Sequence, residues 1–209
     1  MGSIVMAEAE PARFPAIPVT KKSGLEVFRV DGRPLPENLL SFWQWSSSDL
    51  VGNALRGVLA EYIVATAVGC NRGLRTEWDA FDMVTPDGIK IEVKSAAYIQ
   101  SWTQAKLSAI QFGIRPTQSL EAGTNQYSKK IERQSDVYVF CVLTQQDQDA
   151  IDPLNLDQWD FYVISTKKLD ASVGSQKSIA LARLKQLGPV VAAFSEIRAA
   201  ISKVLSLSD

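Results

Sequence analysis

Residues 81–95 read FDMVTPDGIKIEVKS, and the turn inside that stretch decides which side chains face one another. Ile89, Ile91 and Val93 alternate with Lys90, Glu92 and Lys94, the period of a strand with one buried face. Thr85-Pro86-Asp87-Gly88-Ile89 fits a three-residue hairpin loop, with Pro86 at the second position of a type I turn and Gly88 in the left-handed position. Thr85 then pairs with Ile89, which sets Met83 opposite Ile91 and Asp82 opposite Glu92. Phe81, Met83, Ile91 and Val93 share an apolar face, while Asp82, Glu92 and Lys94 share the other. A two-residue Asp-Gly turn would move Asp82 opposite Val93, so the assignment depends on the turn type. Asp79 falls on the apolar parity. Asp87 belongs to the turn, where aspartate bonds nearby backbone.

Opposed Cβ atoms in such a pair lie roughly 4.5–5.5 Å apart, and like charges there are destabilising. Two carboxylates about 4 Å apart repel by roughly 4 kcal/mol at a near-surface dielectric. A whole domain is stable by only about 5–15 kcal/mol. A neighbouring lysine, a protonated carboxyl or a divalent cation must offset the repulsion. Lys94 brings one charge; a divalent ion brings two and binds both oxygens.

Composition narrows the chemistry. The 209 residues are 46% apolar and 22% charged, values of an ordinary globular domain with enough chain for a sizeable core. A net charge of −1 carries no global basic excess, so any nucleic-acid site must be local. There is no histidine. That excludes Ser-His-Asp and Cys-His catalysis, zincin helices and histidine-metal nucleases. Cys70 and Cys141 are too few for a zinc site or a disulfide framework and read as buried free thiols of a cytoplasmic protein. Any metal must be a hard, oxygen-liking ion such as Mg²⁺ or Mn²⁺. No apolar run is of membrane length, and the first residues lack the pattern of a secretion signal.

Around the hairpin the chain reads as one domain over 24–209, preceded by a mobile arm at 1–23 rich in Ala, Pro and Glu. GLEVFRVDGRPLP suggests a short strand and turn. Phe42, Trp43 and Trp45 are expected to cap a core edge rather than stack on bases. SSSDLVGNALRGVLAEYIVATAVG is the best helix, N-capped by its serines and Asp49 and stopped at Gly69. It is apolar nearly all round, with Glu61 the odd residue. Residues 101–134 show weak helical patterning. DVYVFCVLT (136–144) is a continuous apolar run of the kind buried on both faces, and WDFYVIST is a further strand. QQDQDAIDPLNLDQ lacks the glycine and terminal glutamate of a calcium loop and reads as solvated. Closing helices are expected over about 178–207, the last with Phe194, Ile197, Ile201 and Leu205 on one stripe.

A buried helix with a glutamate, then Asp on one strand, then Glu-x-Lys on the next, resembles the PD-(D/E)xK nuclease superfamily, the restriction-endonuclease-like fold. The matching residues are Glu61, Asp82, Glu92 and Lys94, over a core of about 48–166. The literal Pro-Asp pair, Pro86-Asp87, sits in the turn, and Asp82 takes the functional position instead. The resemblance implies an α+β fold with an αβββαβ core, a mixed central sheet and flanking helices. It implies a Mg²⁺- or Mn²⁺-dependent endonuclease that hydrolyses phosphodiester bonds in DNA. Asp82, Glu92 and the Val93 carbonyl would ligate the metal, and Glu61 would bind the metal or a water on it. Lys94 would hold and help deprotonate the attacking water. Gln100 shares the parity of Lys94 and could touch substrate. Lys129, Lys130, Arg133, Lys167 and Lys168 are the candidates for phosphate contacts. Cutting both strands favours a homodimer. The rival expectations are a catalytically idle module of the same fold, gripping nucleic acid or a protein partner, and an accessory protein with merely exposed carboxylates.

Overall fold

The computed structural model describes residues 17–75, 80–118, 120–121 and 126–207. In chain order the elements are β1 (Val27–Val30), β2 (Arg33–Asn38), α1 (Leu39–Ser46), α2 (Asn53–Val68), β3 (Met83–Val84) and β4 (Lys90–Ala97). Next come β5 (Gln111–Gly113), β6 (Leu120–Glu121), β7 (Gln126–Tyr127), β8 (Val137–Leu143) and β9 (Trp159–Ser165). The chain closes with α3 (Thr166–Val173), β10 (Ser178–Ala180), α4 (Leu181–Gln186), β11 (Val190–Ala192) and α5 (Ile197–Ser206).

Among the described residues five strands form the central mixed sheet, in the order β11-β9-β8-β4-β3. Strands β4 and β8 run parallel, and the other neighbours are antiparallel. The hairpin has the register that its turn chemistry predicts: Met83 pairs with Ile91 and Val84 with Lys90. Thr85 N–H donates to Ile89 O at 2.9 Å, and Gly88 N–H to Thr85 O at 2.8 Å. Gly88 takes φ +86, a value that a side chain resists.

Two cores sandwich the sheet. Ile91, Val93, Val137, Val139, Phe161 and Val163 pack one face against Ala60, Ile63 and Val64 of α2 and Ile197 and Ile201 of α5. On the opposite face Tyr138, Phe140, Val142, Tyr162 and Ile164 meet Leu169 of α3, Leu184 of α4, and Phe112 and Ile179 of the β5–β10 pair. Strand β8 is buried along its whole length, which is why its sequence shows no alternation. On β4 that second face turns from polar Lys90, Glu92 and Lys94 to buried Ala96. The cover ends there, and a polar half-strand is left at the rim.

Helix α2 begins later than its serines suggest. Asn53 is its first residue and Gly52 its N-cap, while Asp49 accepts from Gly52 N–H at 2.9 Å. Gly69 ends it in the left-handed conformation, φ +79. Arg56, on its first turns, is buried and donates to Val51 O, Asn53 Oδ1, Ser95 Oγ and Gln100 Oε1 at 2.6–3.2 Å. Replacing Arg56 with leucine strands those acceptors, each at a cost of about 1–3 kcal/mol where no water reaches it. Urea unfolding of Arg56→Leu should therefore show a clear drop in midpoint at unchanged slope.

Three expectations are corrected. Residues 101–134 are not helical: among the described residues they hold short strands and an isolated Thr117–Glu132 bridge. Their pairings are tertiary, such as β5 with β10, and leave no local period. Phe42, Trp43 and Trp45 cap no core; α1 has no buried residue, and Trp45 is 84% exposed. The closing helices expected over 178–207 are interrupted by strands: Ser178–Ala180 pairs with β5 and Val190–Ala192 with β9, so α4 is only Leu181–Gln186. The short strand and turn read at 24–36 are β1 and Asp31-Gly32 (φ 48 and 75), and β2 completes a hairpin. The buried stripe of α5 is Ile197, Ala200, Ile201 and Val204, with Phe194 and Leu205 packed at its margin. Cys70 and Cys141 are free thiols; Cys141 is buried as expected, whereas Cys70, just past the end of α2, is only partly so. The arm at 1–16 and Asp79 lie outside the described residues, in which no helix is long and apolar enough to cross a membrane.

Candidate active site

The site is built at the open edge of β4. Strand β3 is only two residues long, so the chain leaves β4 at Asp82 and exposes an edge N–H. Asp82 meets that vacancy with its own groups. Its N–H donates to Ile91 O at 3.1 Å, and its Oδ2 accepts from Val93 N–H at 2.6 Å. The carboxylate of Asp82 is thereby fixed beside β4, between Glu92 and the core residue Val93.

Glu92 and Lys94, two residues apart on one face, meet through Oε1 and Nζ at 2.5 Å. Tyr138 is the cross-strand neighbour of Glu92 on β8, and Glu92 helps to hold its phenol above the usual range, after burial. Asp82 carries the electrostatic signature of the group. Burial, then the charge of Glu92 and, further off, of Glu61 push its carboxyl up to about 6, against the opposing pull of the Val93 N–H and of Lys94. The repulsion expected across the hairpin is therefore eased by Lys94, which pairs with Glu92, and what remains adds to burial in raising the Asp82 carboxyl.

Glu61 reaches the same region from α2. Its carboxylate accepts from Arg75 Nε at 2.5 Å and Nη2 at 3.2 Å. The acidic residues line two separate clefts. One, of about 470 Å³, is lined by Glu61, Tyr62, Arg75, Phe81 and Asp82. The other, of about 270 Å³, is lined by Glu92, Lys94, Arg115, Gln134 and Tyr138. The acids and the lysine are legible in the sequence, whereas Arg75, Arg115 and Tyr138 are not. Basic residues in loops and an aromatic in an apolar run carry no local mark of their place in the fold.

Other proposed contacts are placed differently. Gln100 is buried, accepting from Arg56 through Oε1 and donating to Ala97 O through Nε2. Arg133 is also buried. Its guanidinium donates to Ile114 O, Gly174 O and Gln176 O at 2.8–3.0 Å and pairs with Asp170, tying the 114–117 segment to the end of α3. Both are structural ties rather than groups offered to a ligand, because their donors and acceptors are committed inside the fold. Lys129 is exposed, and Lys130 pairs with Glu132. Lys167 and Lys168 line a separate cleft at the start of α3, where Lys168 Nζ donates to Gly188 O at 2.9 Å.

The donors around Asp82 are hard oxygens and suit Mg²⁺ or Mn²⁺ in kind. Among the described residues no three acidic or thiol side chains are already gathered as a metal cluster. Glu61 and Glu92 are each drawn to a cation of the protein instead.

The family model described as bacteriophage T4 endonuclease IV matches residues 37–183. That span is more than half of the chain and contains Glu61, Arg75, Asp82, Glu92 and Lys94; it leaves out β11 and α5. No curated protein and no solved structure matches the chain.

Proposed function

The chain belongs to the bacteriophage T4 endonuclease IV family, a nuclease family, and on that premise we propose that it hydrolyses phosphodiester bonds of DNA with a divalent cation held by Asp82 and Glu92. The observation that carries this reading is the placement of Asp82 and Glu92 on adjacent segments of one hairpin, with Lys94 on the same strand face. The strand order around them, a helix, a hairpin, a buried strand and a further strand, supports the restriction-endonuclease-like class.

The donor set fits the cation. An acid raised by burial and by two neighbouring negative charges, lining an open cleft, is a place where two added positive charges are welcome. Asp82, Glu92 and the Val93 carbonyl would hold the ion, with Glu61 within reach of it or of a bound water. Bound there, Mg²⁺ or Mn²⁺ would neutralise charge on the phosphate oxygens and ease loss of a proton from water.

The chain's own residues do the rest. The Val93 N–H fixes one carboxylate rotamer of Asp82. Glu92 keeps the Lys94 ammonium at the rim, where it can orient a water and take part in moving its proton. Tyr138 and the second core close off the site from behind, so these charges act in a partly desolvated setting.

The test is cleavage of plasmid DNA by the full chain in Mg²⁺, in Mn²⁺ and in EDTA. Nicking in either metal, abolished by EDTA, is expected. DNA binding without any metal-dependent nicking would instead favour an idle module of the same fold.

A further inference from the structure

Arg75 and Glu61 form a tight pair in the site region that lies outside the hairpin. The contact is a bidentate fork, which gives geometric specificity as well as energy. It joins α2 to a residue 14 positions further on, beyond the helix end, so it is a tertiary contact and not a helical side-chain pair. Both residues line the cleft, and at 37% exposed against 16% for Glu61 the Arg75 side chain is the more open of the two. The same cleft runs to Asp82.

The charges around it are unevenly matched. Glu92 has Lys94 and Glu61 has Arg75, while Asp82 has a backbone N–H. A cation entering at Asp82 and Glu92 sits near Glu61 as well, since Glu61 and Asp82 line one cleft. It then competes with Arg75 for the Glu61 carboxylate. A DNA phosphate entering the cleft offers that guanidinium a new anionic partner suited to its planar fork.

We infer that Arg75 is a phosphate-binding residue of this cleft and Glu61 its positioning residue, holding the guanidinium in place until cation and DNA arrive. This rests on the nuclease reading of Asp82, Glu92 and Lys94. It carries an unusual sign. Arg75 opposes the cation when DNA is absent and assists DNA binding when the cation is present, and such coupling must act in both directions.

The test uses the full-length wild type, Arg75→Ala and Arg75→Lys, with thermal melts to confirm folding. Mn²⁺ is titrated calorimetrically without DNA, and binding of a labelled DNA is measured across salt concentrations with Ca²⁺ replacing Mg²⁺. Arg75→Ala should bind Mn²⁺ several-fold tighter than wild type, yet bind DNA more weakly, with a salt slope smaller by about 1. Arg75→Lys, which keeps the charge and loses the fork, should retain the salt slope with reduced DNA affinity. Equal or weaker Mn²⁺ binding by Arg75→Ala, or unchanged DNA affinity and slope, overturns the inference and leaves Arg75 as a tie to α2. Should Arg75→Ala fail to fold, Arg75→Lys decides: DNA affinity equal to wild type overturns the inference. Wild type that takes up no Mn²⁺ and cuts no DNA overturns the underlying nuclease reading as well. Where wild type does both, a failed Arg75 result bears on Arg75 alone.

Discussion

Replacing Lys94 with alanine is expected to slow DNA cleavage by about 10²–10⁴-fold, the usual contribution of a positioned proton-transfer group. The expectation follows from where the ammonium sits. Glu92 holds it at the rim of β4, beside Asp82 and above the buried half of the strand. Lys94 is partly exposed and its pair with Glu92 is local, so its loss should alter stability only modestly. Activity and stability then separate, and that separation is the informative result. Single-turnover cleavage measures the first and a thermal melt the second. Undiminished cleavage by a folded Lys94→Ala would remove the lysine from the chemistry.

Asp82→Asn carries the second large expectation, and it runs opposite to most substitutions at a partly buried polar site. The folded carboxyl lies at about 6, raised from 3.8 by burial and then by Glu92 and Glu61. A raised carboxyl contributes stability that is fully present below the unfolded value and is lost as pH rises through the folded one. In EDTA at pH 8 the wild type therefore carries a charge that folding disfavours, worth about 3 kcal/mol at roughly 1.4 kcal/mol per unit. Asparagine keeps an oxygen for the Val93 N–H and drops the charge. Asp82→Asn should melt higher than wild type at pH 8, by about 2–4 °C for each kcal/mol in a chain of this size. The advantage should fade between pH 6 and pH 4. Excess Mg²⁺ should stabilise the wild type and not the variant, by about 2.7 kcal/mol at a hundredfold excess over the dissociation constant. Cleavage by the variant should be lost. A lower melting point at pH 8 for a folded Asp82→Asn would mean that the carboxylate is stabilising as it stands.

The parts of this structure that could be read from sequence are those whose cause is local. The Thr85–Ile89 turn sets the hairpin register through Pro86 and Gly88, and the register sets Asp82 beside Glu92. The unbroken apolar run of β8 announces a strand covered on both faces, and Gly69 ends α2 where a left-handed stop is needed. What escaped depends on distant partners. Strand β5 exists because β10 pairs with it, and Arg133 is buried because three carbonyls from two distant segments converge on it. The sequence shows only a basic residue in a polar stretch. Phe42, Trp43 and Trp45 suggested a core because large aromatics usually fill one, yet α1 packs no buried face. The Arg75–Glu61 pair lacked any signal, since neither residue's neighbours mark it.

Anomalous diffraction from a crystal soaked in Mn²⁺ tests the cleavage centre most directly. One strong peak is expected, shared by the Asp82 and Glu92 carboxylates and the Val93 carbonyl, and absent from crystals of Asp82→Asn. A Mn²⁺ ion bound elsewhere, in a protein that still cuts DNA, would contradict a cleavage centre at the hairpin.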